Sequence, residues 1–212
     1  MNNMRIKDLI DEDFINYKNP CMFISTCMCD WKCCKEAGIP IDVCQNHGTS
    51  SNPDIDMPIS KIYERYINNP ITKAVVIGGL EPILQYKEVL ELVEYFRDHD
   101  CQDDIVIYTG YYPHEIYDKL YEFVKYKNIV FKFGRYKPDT PSIFDKVLGV
   151  ELASNNQYGA KLNQGKYDII TGLQETGGYC PCMIIQNDNT KCCCLAFKKQ
   201  KTGVCHCGLW SK

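Results

Sequence analysis

The segment ITKAVVIGGLEPILQYKEVLELVEYFRDHDCQDDIVIYTG, residues 71–110, contains a complete strand–helix–strand pattern. Residues 71–77 form a short β-branched run that ends at a Gly-Gly pair, which is typical of a strand buried on both faces. Apolar residues recur at helical spacing over residues 84–98, and residues 104–108 form the next apolar run before a Thr-Gly pair. Because strands that alternate with helices usually pair in parallel, this segment predicts the centre of an α/β sheet.

The same alternation extends to both sides of this segment. It predicts further helices at residues 59–67 and after Pro113, and further strands at residues 21–26, 129–133 and 147–152. About five strand–helix units are fewer than the eight that a closed barrel requires. The predicted fold class is therefore α/β, with an open or partial (βα) barrel.

Composition excludes several classes of protein. The 212 residues are 45% hydrophobic and 24% charged, which is ordinary for a globular chain and excludes intrinsic disorder. A formal net charge of −3 argues against a general nucleic-acid binder. No apolar stretch approaches the length needed to cross a bilayer, and acidic residues interrupt the N-terminal region where a signal peptide needs an apolar run. We therefore expect a cytoplasmic protein with neither a nucleic-acid nor a membrane partner.

The strand–helix pattern weakens after Tyr158, where glycines punctuate a stretch of low periodicity and a cysteine-dense tail follows. The tail is too short to bury a core by itself, so cross-links or metal would have to stabilise it. We expect a partial barrel over residues 1–162, a linker over 163–179 and a small cysteine-rich domain over 180–212.

The 14 cysteines are unevenly placed, with six between Cys21 and Cys44, Cys101 alone, and seven between Cys180 and Cys207. A secreted protein stapled by disulfides is usually a small chain with a poor core, and we expect neither a signal peptide nor a poor core here. In a reducing cytosol, clustered thiols are more often metal ligands or redox groups. We interpret both clusters in that way.

The first cluster lies in CMCDWKCCKEAGIPIDVCQN, which begins at Cys27 directly after the first predicted strand. Loops that follow the strands of an α/β sheet lie at its carboxyl edge, where cofactors bind. Thiolates of Cys29, Cys33 and Cys44 would hold three irons of a [4Fe–4S] cube and leave the fourth iron open. A tetrahedral zinc site, with Cys27 or Cys34 as the fourth ligand, fits the spacing as well, so both alternatives stay open.

A C-x-x-x-C pair followed by a cysteine before Gln-Asn, on the loop after the first strand, resembles the radical S-adenosylmethionine enzymes. Among them the chain is most similar to the activating protein of anaerobic (class III) ribonucleotide reductase, over roughly residues 5–162. The family's third cysteine comes three residues after the second, whereas Cys33 and Cys44 are farther apart here, which makes Cys34 a competing ligand. The resemblance implies a [4Fe–4S] cluster on Cys29, Cys33 and Cys44.

Further segments support the resemblance. GGLEP (78–82) is similar, apart from one extra leucine, to the Gly-Gly-Glu-Pro turn that holds the methionine amino group. Glycines let backbone carbonyls approach such a cation, and a carboxylate pairs with it. TGY (109–111), FGRY (133–136) and ASNNQ (153–157) each resemble an element of the activating proteins. The resemblance implies that S-adenosylmethionine is bound by Gly78, Gly79, Glu81, Ser154 and Asn156.

Each of these segments also has an ordinary interpretation. A Gly-Gly pair after a strand is usually a turn, an Asn-Asn pair is usually a loop, and a lone arginine such as Arg135 is most often a solvated charge. Their shared order and their common position after strand ends favour the resemblance.

The resemblance implies a radical mechanism. An electron from ferredoxin or flavodoxin enters the cluster and passes to the bound sulfonium, whose carbon–sulfur bond breaks to give methionine and a 5′-deoxyadenosyl radical. That radical takes a hydrogen atom from a glycine of the partner, the catalytic subunit of anaerobic ribonucleotide reductase. The activating protein supplies orientation, electron delivery and the exclusion of water.

The tail carries three C-x-C pairs, in CPC (180–182), CCC (192–194) and CHC (205–207), which indicates metal binding. A zinc site would use only four of these seven thiols and leave the others open to oxidation. The pattern resembles the catalytic subunit of ferredoxin:thioredoxin reductase, although a cysteine stands where that family has proline in the second pair. The resemblance implies a second [4Fe–4S] cluster on Cys180, Cys192, Cys194 and Cys205. It also implies a redox disulfide between Cys182 and Cys207, with His206 as proton donor and acceptor.

Together the two halves predict an iron–sulfur oxidoreductase that generates a glycyl radical. The tail either relays electrons to the first cluster or reduces a disulfide, for which thioredoxin or glutaredoxin is a further partner. A ferredoxin-linked disulfide reductase without radical chemistry is the alternative enzyme. A zinc-stabilised binding module is the alternative without catalysis.

Overall fold

The computed structural model describes residues 2–212. Its strands are β1 (Asn3–Asp13), β2 (Cys21–Thr26), β3 (Ile55–Pro58), β4 (Ala74–Gly78), β5 (Asp104–Tyr108), β6 (Ile129–Phe133), β7 (Ile143–Asp145), β8 (Val150–Leu152), β9 (Tyr158–Leu162) and β10 (Trp210–Ser211). Its helices are α1 (Lys32–Ala37), α2 (His47–Ser50), α3 (Ile59–Ile67), α4 (Tyr86–Asp98), α5 (Tyr117–Phe123), α6 (Tyr167–Glu175) and α7 (Leu195–Lys199). Short 3-10 helices cover Ile41–Val43, Pro82–Gln85 and Pro113–Glu115. No helix in this part of the chain has both the length and the apolar surface that a membrane span needs.

Eight of these strands form one mixed sheet in the order β10-β9-β6-β5-β4-β2-β1-β3. Its centre, made of β2, β4, β5 and β6, is parallel, as the strand–helix pattern predicts. Antiparallel strands extend both sides, with β1 and β3 beside β2 and with β9 and β10 beside β6. Within residues 2–212, β3 and β10 are the two edge strands of this sheet. The partial barrel stays a prediction.

The parallel centre is covered on both faces, because alternate side chains of a strand point in opposite directions. On one face, residues such as Ile77 and Phe131 pack under α3, α4, α5 and α6. On the other face, Val76 and Val106 pack against Leu148 in the connection between β7 and β8. This double burial explains why β4 is apolar along its whole length.

Most of the predicted elements are confirmed. β2, β5 and β6 have the predicted bounds, and α3 lies where helical spacing predicts it. β4 begins at Ala74 rather than at residue 71, and α4 begins at Tyr86 after the 3-10 turn that Pro82 starts. The helix predicted after Pro113 begins with a 3-10 turn and continues as α5.

The strand predicted at residues 147–152 is wrong in part. Only its last three residues form β8, which pairs with β7 in a separate two-stranded sheet. The carboxylate of Asp145 accepts hydrogen bonds from the backbone N–H groups of Val147 and Leu148, and this turns the chain before β8 begins. The strand–helix pattern also did not reveal β1, β3, β9 and β10, which add to the sheet in the antiparallel direction.

The tail packs on the same core as the sheet. β10 pairs with β9, and the Trp210 ring meets Phe131 and Phe133 edge-on, with ring centroids 6.1 and 5.2 Å apart. Trp210 is 1% exposed, and Phe197 of α7 belongs to the same apolar cluster. The predicted linker contains α6, whose Ile170 is buried in that cluster too. The division of the chain into domains stays a prediction.

Candidate functional site

The carboxyl ends of the parallel strands meet at one edge of the sheet, beside a cavity of about 580 Å³. The loop after β2 brings the first cysteine cluster to this edge, and the loops after β4 and β5 bring the Gly-Gly turn and a Thr-Gly pair. We call this space the thiol cavity. The chemically relevant groups that line it are Cys29, Cys33, Cys34, Cys44, Gly79, Glu81, Thr109, Gly110 and Lys132.

Four thiols of the first cluster line the thiol cavity. Cys29 precedes α1, Cys33 and Cys34 lie within α1, and Cys44 follows the next 3-10 turn. Burial is the main cause that raises the pKa of Cys29 to about 12, and it also raises the pKa values of Cys33 and Cys34. Thiols with such pKa values are protonated near neutral pH, and a bound metal centre is what ionises them. The structure thus brings the predicted ligands and their competitor Cys34 together.

Two glycines of the thiol cavity allow close approaches of the backbone, one to a thiol and one to a serine. A Cβ atom at Gly110 would lie 2.9 Å from the Cys33 sulfur, which is too close for any other residue without a shift. Gly79 has φ +74°, and a Cβ there would lie 2.8 Å from the Ser25 hydroxyl oxygen. Both approaches therefore depend on glycine.

The donor set of the thiol cavity fits an iron–sulfur cluster. Each thiolate of a [4Fe–4S] cube binds a different iron, so its ligands surround a space instead of converging on one atom. Thiols around a common cavity are the arrangement that a cluster requires.

Glu81 is buried where β4 and β5 end. Its Oε1 accepts hydrogen bonds from the Thr109 hydroxyl at 2.7 Å and from the Ile83 N–H at 3.1 Å, and its Oε2 accepts one from the Gly110 N–H at 2.8 Å. Burial raises the pKa of Glu81 to about 7, although these donors favour the ionised form. The carboxylate that the sequence predicts as a cofactor-binding group is therefore fixed in place by the next strand.

Lys132 is a half-buried cation of the thiol cavity that the sequence patterns did not indicate. Its ammonium group donates a hydrogen bond to the Gly134 carbonyl at 3.0 Å. Burial lowers the pKa of Lys132 to about 8, while the charges of Cys33 and Glu81 act in the opposite direction. The signal in the sequence was a lysine inside the otherwise apolar run IVFKF of β6.

The ordinary interpretation of Arg135 as a solvated charge is wrong, since only 7% of the residue is exposed. Its guanidinium donates to both carboxylate oxygens of Glu115 at 2.7 and 2.9 Å and to Glu36 at 2.6 Å. Lys32 also donates to Glu115, at 2.6 Å. Burial opposes the ionisation of Glu115, but the hydrogen bonds from Arg135 and Lys32 lower its pKa to about 2. Because Lys32 and Glu36 belong to α1, this network fastens the thiol-bearing helix to the sheet.

Three of the predicted S-adenosylmethionine-binding residues lie outside the lining of the thiol cavity. Gly78 is inside β4, and Ser154 is fully buried, with its hydroxyl accepting a hydrogen bond from the Lys137 N–H at 3.3 Å. Asn156 lines a different cavity, next to the tail, whereas the neighbouring Gln157 does reach the thiol cavity. The roles of these residues toward S-adenosylmethionine stay predictions.

The tail brings most of its thiols together. Cys180 is close to Cys194, Cys207 and Cys182, and hydrogen bonds with these thiols, led by Cys194, lower its pKa. The sulfur of Cys205 lies 3.3 Å from that of Cys207. This contact lowers the pKa of Cys205, while contacts with Cys180 and Cys205 raise the pKa of Cys207. Three predicted ligands therefore lie beside the predicted redox pair.

The other predicted site residues of the tail differ in how far they are exposed to solvent. Cys192 is buried, and its sulfur accepts a hydrogen bond from the Trp210 indole N–H at 3.3 Å. Cys182 is exposed, its proposed disulfide partner Cys207 is half-buried, and His206 is exposed. The two thiols of the predicted redox pair are thus open to solvent on one side.

Comparison with known proteins defines the class. The family model of the 4Fe-4S single cluster domain matches residues 19–157, which is more than half of the chain. The chain therefore belongs to this family and is an iron–sulfur cluster-binding protein. The match includes the first cysteine cluster and ends before the tail. No curated protein and no solved structure matched the chain.

Proposed function

We propose that this protein is a radical S-adenosylmethionine enzyme that activates anaerobic ribonucleotide reductase. In the net reaction, S-adenosylmethionine, one electron and a glycine Cα–H of the reductase give methionine, 5′-deoxyadenosine and a glycyl radical. The observation that carries the proposal is the thiol cavity, where the first cysteine cluster and the turn with Gly79 and Glu81 meet at the carboxyl edge of the sheet. Ferredoxin or flavodoxin is the proposed electron donor.

Cys29, Cys33 and Cys44 are the proposed ligands of the cluster, and Cys34 is the competing one. When bound there, a [4Fe–4S] cluster supplies the single electron that cleaves the carbon–sulfur bond. The chain's own contribution is a set of thiolates around an enclosed space, whose volume of about 580 Å³ is in the range of small-molecule sites.

Gly79 and Glu81 are proposed to bind the methionine amino group. The Glu81 carboxylate is already oriented by Thr109 and Gly110, so binding needs little further ordering of this group. Burial raises the pKa of Glu81 to about 7, and an ammonium group beside it would lower that pKa and so favour the ionised form that pairs with it. Gly79 has no side chain between its backbone and the ligand.

A disulfide-reducing activity of the tail is the second proposal, and the exposed Cys182 beside Cys207 favours it. In this reaction the two thiols become a disulfide while the disulfide of thioredoxin, glutaredoxin or the reductase becomes two thiols. Two electrons from ferredoxin and two protons then restore Cys182 and Cys207. His206, next to Cys207 in the chain, is proposed to supply and take up a proton.

The radical proposal is tested by measuring 5′-deoxyadenosine. Anaerobically purified protein is incubated with S-adenosylmethionine and dithionite, and we expect product from the wild-type chain and none from Cys33→Ala. Cys101→Ala is the matched control, because Cys101 is a buried cysteine outside the thiol cavity. Iron-loaded wild-type protein that forms no 5′-deoxyadenosine would refute the proposal, as would product formation by Cys33→Ala.

The tail proposal is tested with reduced ferredoxin as the electron donor. We expect Cys182→Ser and Cys207→Ser to lose disulfide reduction and to keep 5′-deoxyadenosine formation. Loss of both activities would contradict disulfide reduction as the tail's function and favour an electron relay to the first cluster.

A further inference from the structure

A second cavity, of about 850 Å³, lies between part of the tail and the segments around β7 and the start of β9. We call it the tail cavity. One wall is formed by the segments around β7 and the start of β9, and the other by residues of the tail on both sides of α7. Six lysines line it, namely Lys137, Lys146, Lys191, Lys198, Lys201 and Lys212.

The positive charge of the tail cavity is largely uncompensated. Its lining contains two carboxylates, Asp145 and Asp188, against the six lysines. Within residues 2–212, Lys191 is the one of the six that forms an ion pair, with Asp188 at 3.3 Å. The Asp145 carboxylate is occupied instead by backbone N–H groups, including that of Gly159 at 2.8 Å. A concave surface with unpaired charges of one sign concentrates ions of the opposite sign.

Two buried polar atoms in the lining of the tail cavity lack partners. The Asn156 carbonyl oxygen, Oδ1, and the Tyr158 hydroxyl form no hydrogen bond with a nitrogen or oxygen atom within the described residues, and the Tyr158 hydroxyl has the Cys193 thiol beside it. Tyr158 is 7% exposed, and leaving such a group unpaired is costly unless a ligand or solvent completes it. The Lys198 ammonium lies 5.4 Å from the Tyr158 ring centre and 5.8 Å from that of Tyr112, so this cation is held above the same wall. A phenol and an ammonium group on the same wall of a cavity are suited to an anion.

We propose that the tail cavity binds a small polyphosphate anion, either a nucleoside triphosphate or free inorganic polyphosphate. The unpaired lysines neutralise the phosphates, and the Tyr158 hydroxyl donates to a phosphate oxygen. With a nucleoside triphosphate, the Asn156 Oδ1 also accepts from a hydroxyl or amino group. The volume of the tail cavity is that of a small-molecule site. This site does not depend on the proposed radical chemistry.

The tail cavity also lies next to the thiol cavity. Gln157 lines both spaces, and Asn156 and Tyr158 on either side of it line the tail cavity. An occupant that bridges the tail and the sheet is expected to stabilise the docked tail, because a ligand that binds only the folded form adds to its stability.

The experiment is isothermal titration calorimetry on the full-length, iron-loaded protein with ATP, tripolyphosphate and adenosine. We expect binding of the two phosphate compounds and none of adenosine. Lys198→Gln/Lys201→Gln is expected to weaken binding about tenfold or more, as the loss of charge-assisted hydrogen bonds implies. The matched control is Lys87→Gln/Lys127→Gln, which removes the same charge from exposed positions outside the tail cavity.

Tyr158→Phe provides a second variant that keeps the packing and removes the hydroxyl. It is expected to weaken phosphate binding about threefold or more. Tighter binding of ATP than of tripolyphosphate would identify the nucleotide as the source, and equal binding would identify inorganic polyphosphate. The proposal is overturned if neither compound binds at millimolar concentration, or if the control pair weakens binding as much as the tail pair.

Discussion

The buried ion pair between Arg135 and Glu115 should contribute far more to stability than an exposed pair of the same geometry. Their side chains are 9% and 17% exposed, and two hydrogen bonds of 2.7 and 2.9 Å join them. Arg135→Gln leaves the Glu115 carboxylate buried with Lys32 as its remaining cation. Because a buried carboxylate that loses its bidentate partner is only partly compensated by the remaining cation, we expect a loss of about 3 kcal/mol in the free energy of unfolding.

The chain contains a matched exposed pair for comparison. Arg65 and Asp11 also form two hydrogen bonds, of 3.0 and 2.6 Å, but their side chains are 41% and 45% exposed. Solvent screens such a pair, so its coupling energy should stay below about 1 kcal/mol. The coupling energy of Arg135 with Glu115 should reach about 2–3 kcal/mol.

The assay is a pair of double-mutant cycles by anaerobic urea unfolding, at equal iron content for all variants. One cycle combines Arg135→Gln with Glu115→Gln, and the other combines Arg65→Gln with Asp11→Asn. If the two coupling energies are equal, burial does not strengthen the Arg135 pair and our account of how α1 is fastened to the sheet is wrong.

Three further predictions concern stability. Gly79→Ala should lower the free energy of unfolding, measured with urea, by about 3 kcal/mol, because the residue has a positive φ and the new Cβ would clash with Ser25. Gly38→Ala is the control, and it should cost about 1 kcal/mol because Gly38 also has a positive φ but open space surrounds it. The ionised Glu115, whose pKa is about 2 in the folded chain against 4.5 ordinarily, should add about 3 kcal/mol above pH 4.5. That contribution should shrink as the pH falls toward 2. The measurement is the difference in unfolding free energy between the wild-type chain and Glu115→Gln at several pH values. A difference that stays constant from pH 6 to pH 3 would contradict the prediction. Trp210→Ala should cost about 3–5 kcal/mol and expose the tail to limited proteolysis, and a tail that stays resistant would show that Trp210 does not hold it.

The amino-acid sequence determined the parallel centre of the sheet and the place of the first thiol cluster. Strand and helix periodicities are local properties, so β2, β5 and β6 could be predicted with their bounds. The carboxyl ends of parallel strands share one edge, and this rule places Cys29 and Cys33 near Gly79 and Glu81 before any contact is known. The family match over residues 19–157 agrees with the cluster chemistry that these thiols indicate.

Contacts between distant residues were decided only by the tertiary structure. Arg135 is buried because Glu36 and Glu115, 99 and 20 positions away, receive its hydrogen bonds, and no local pattern carries that information. Asn156 and Gln157 are neighbours in the chain, yet Asn156 lines the tail cavity alone while Gln157 lines both cavities. The tail looked separate in the sequence, because the Phe131 and Phe133 rings that receive Trp210 lie on a strand far earlier in the chain. Burial and charge pairing depend on which surfaces meet after folding, and therefore only the folded chain settles them.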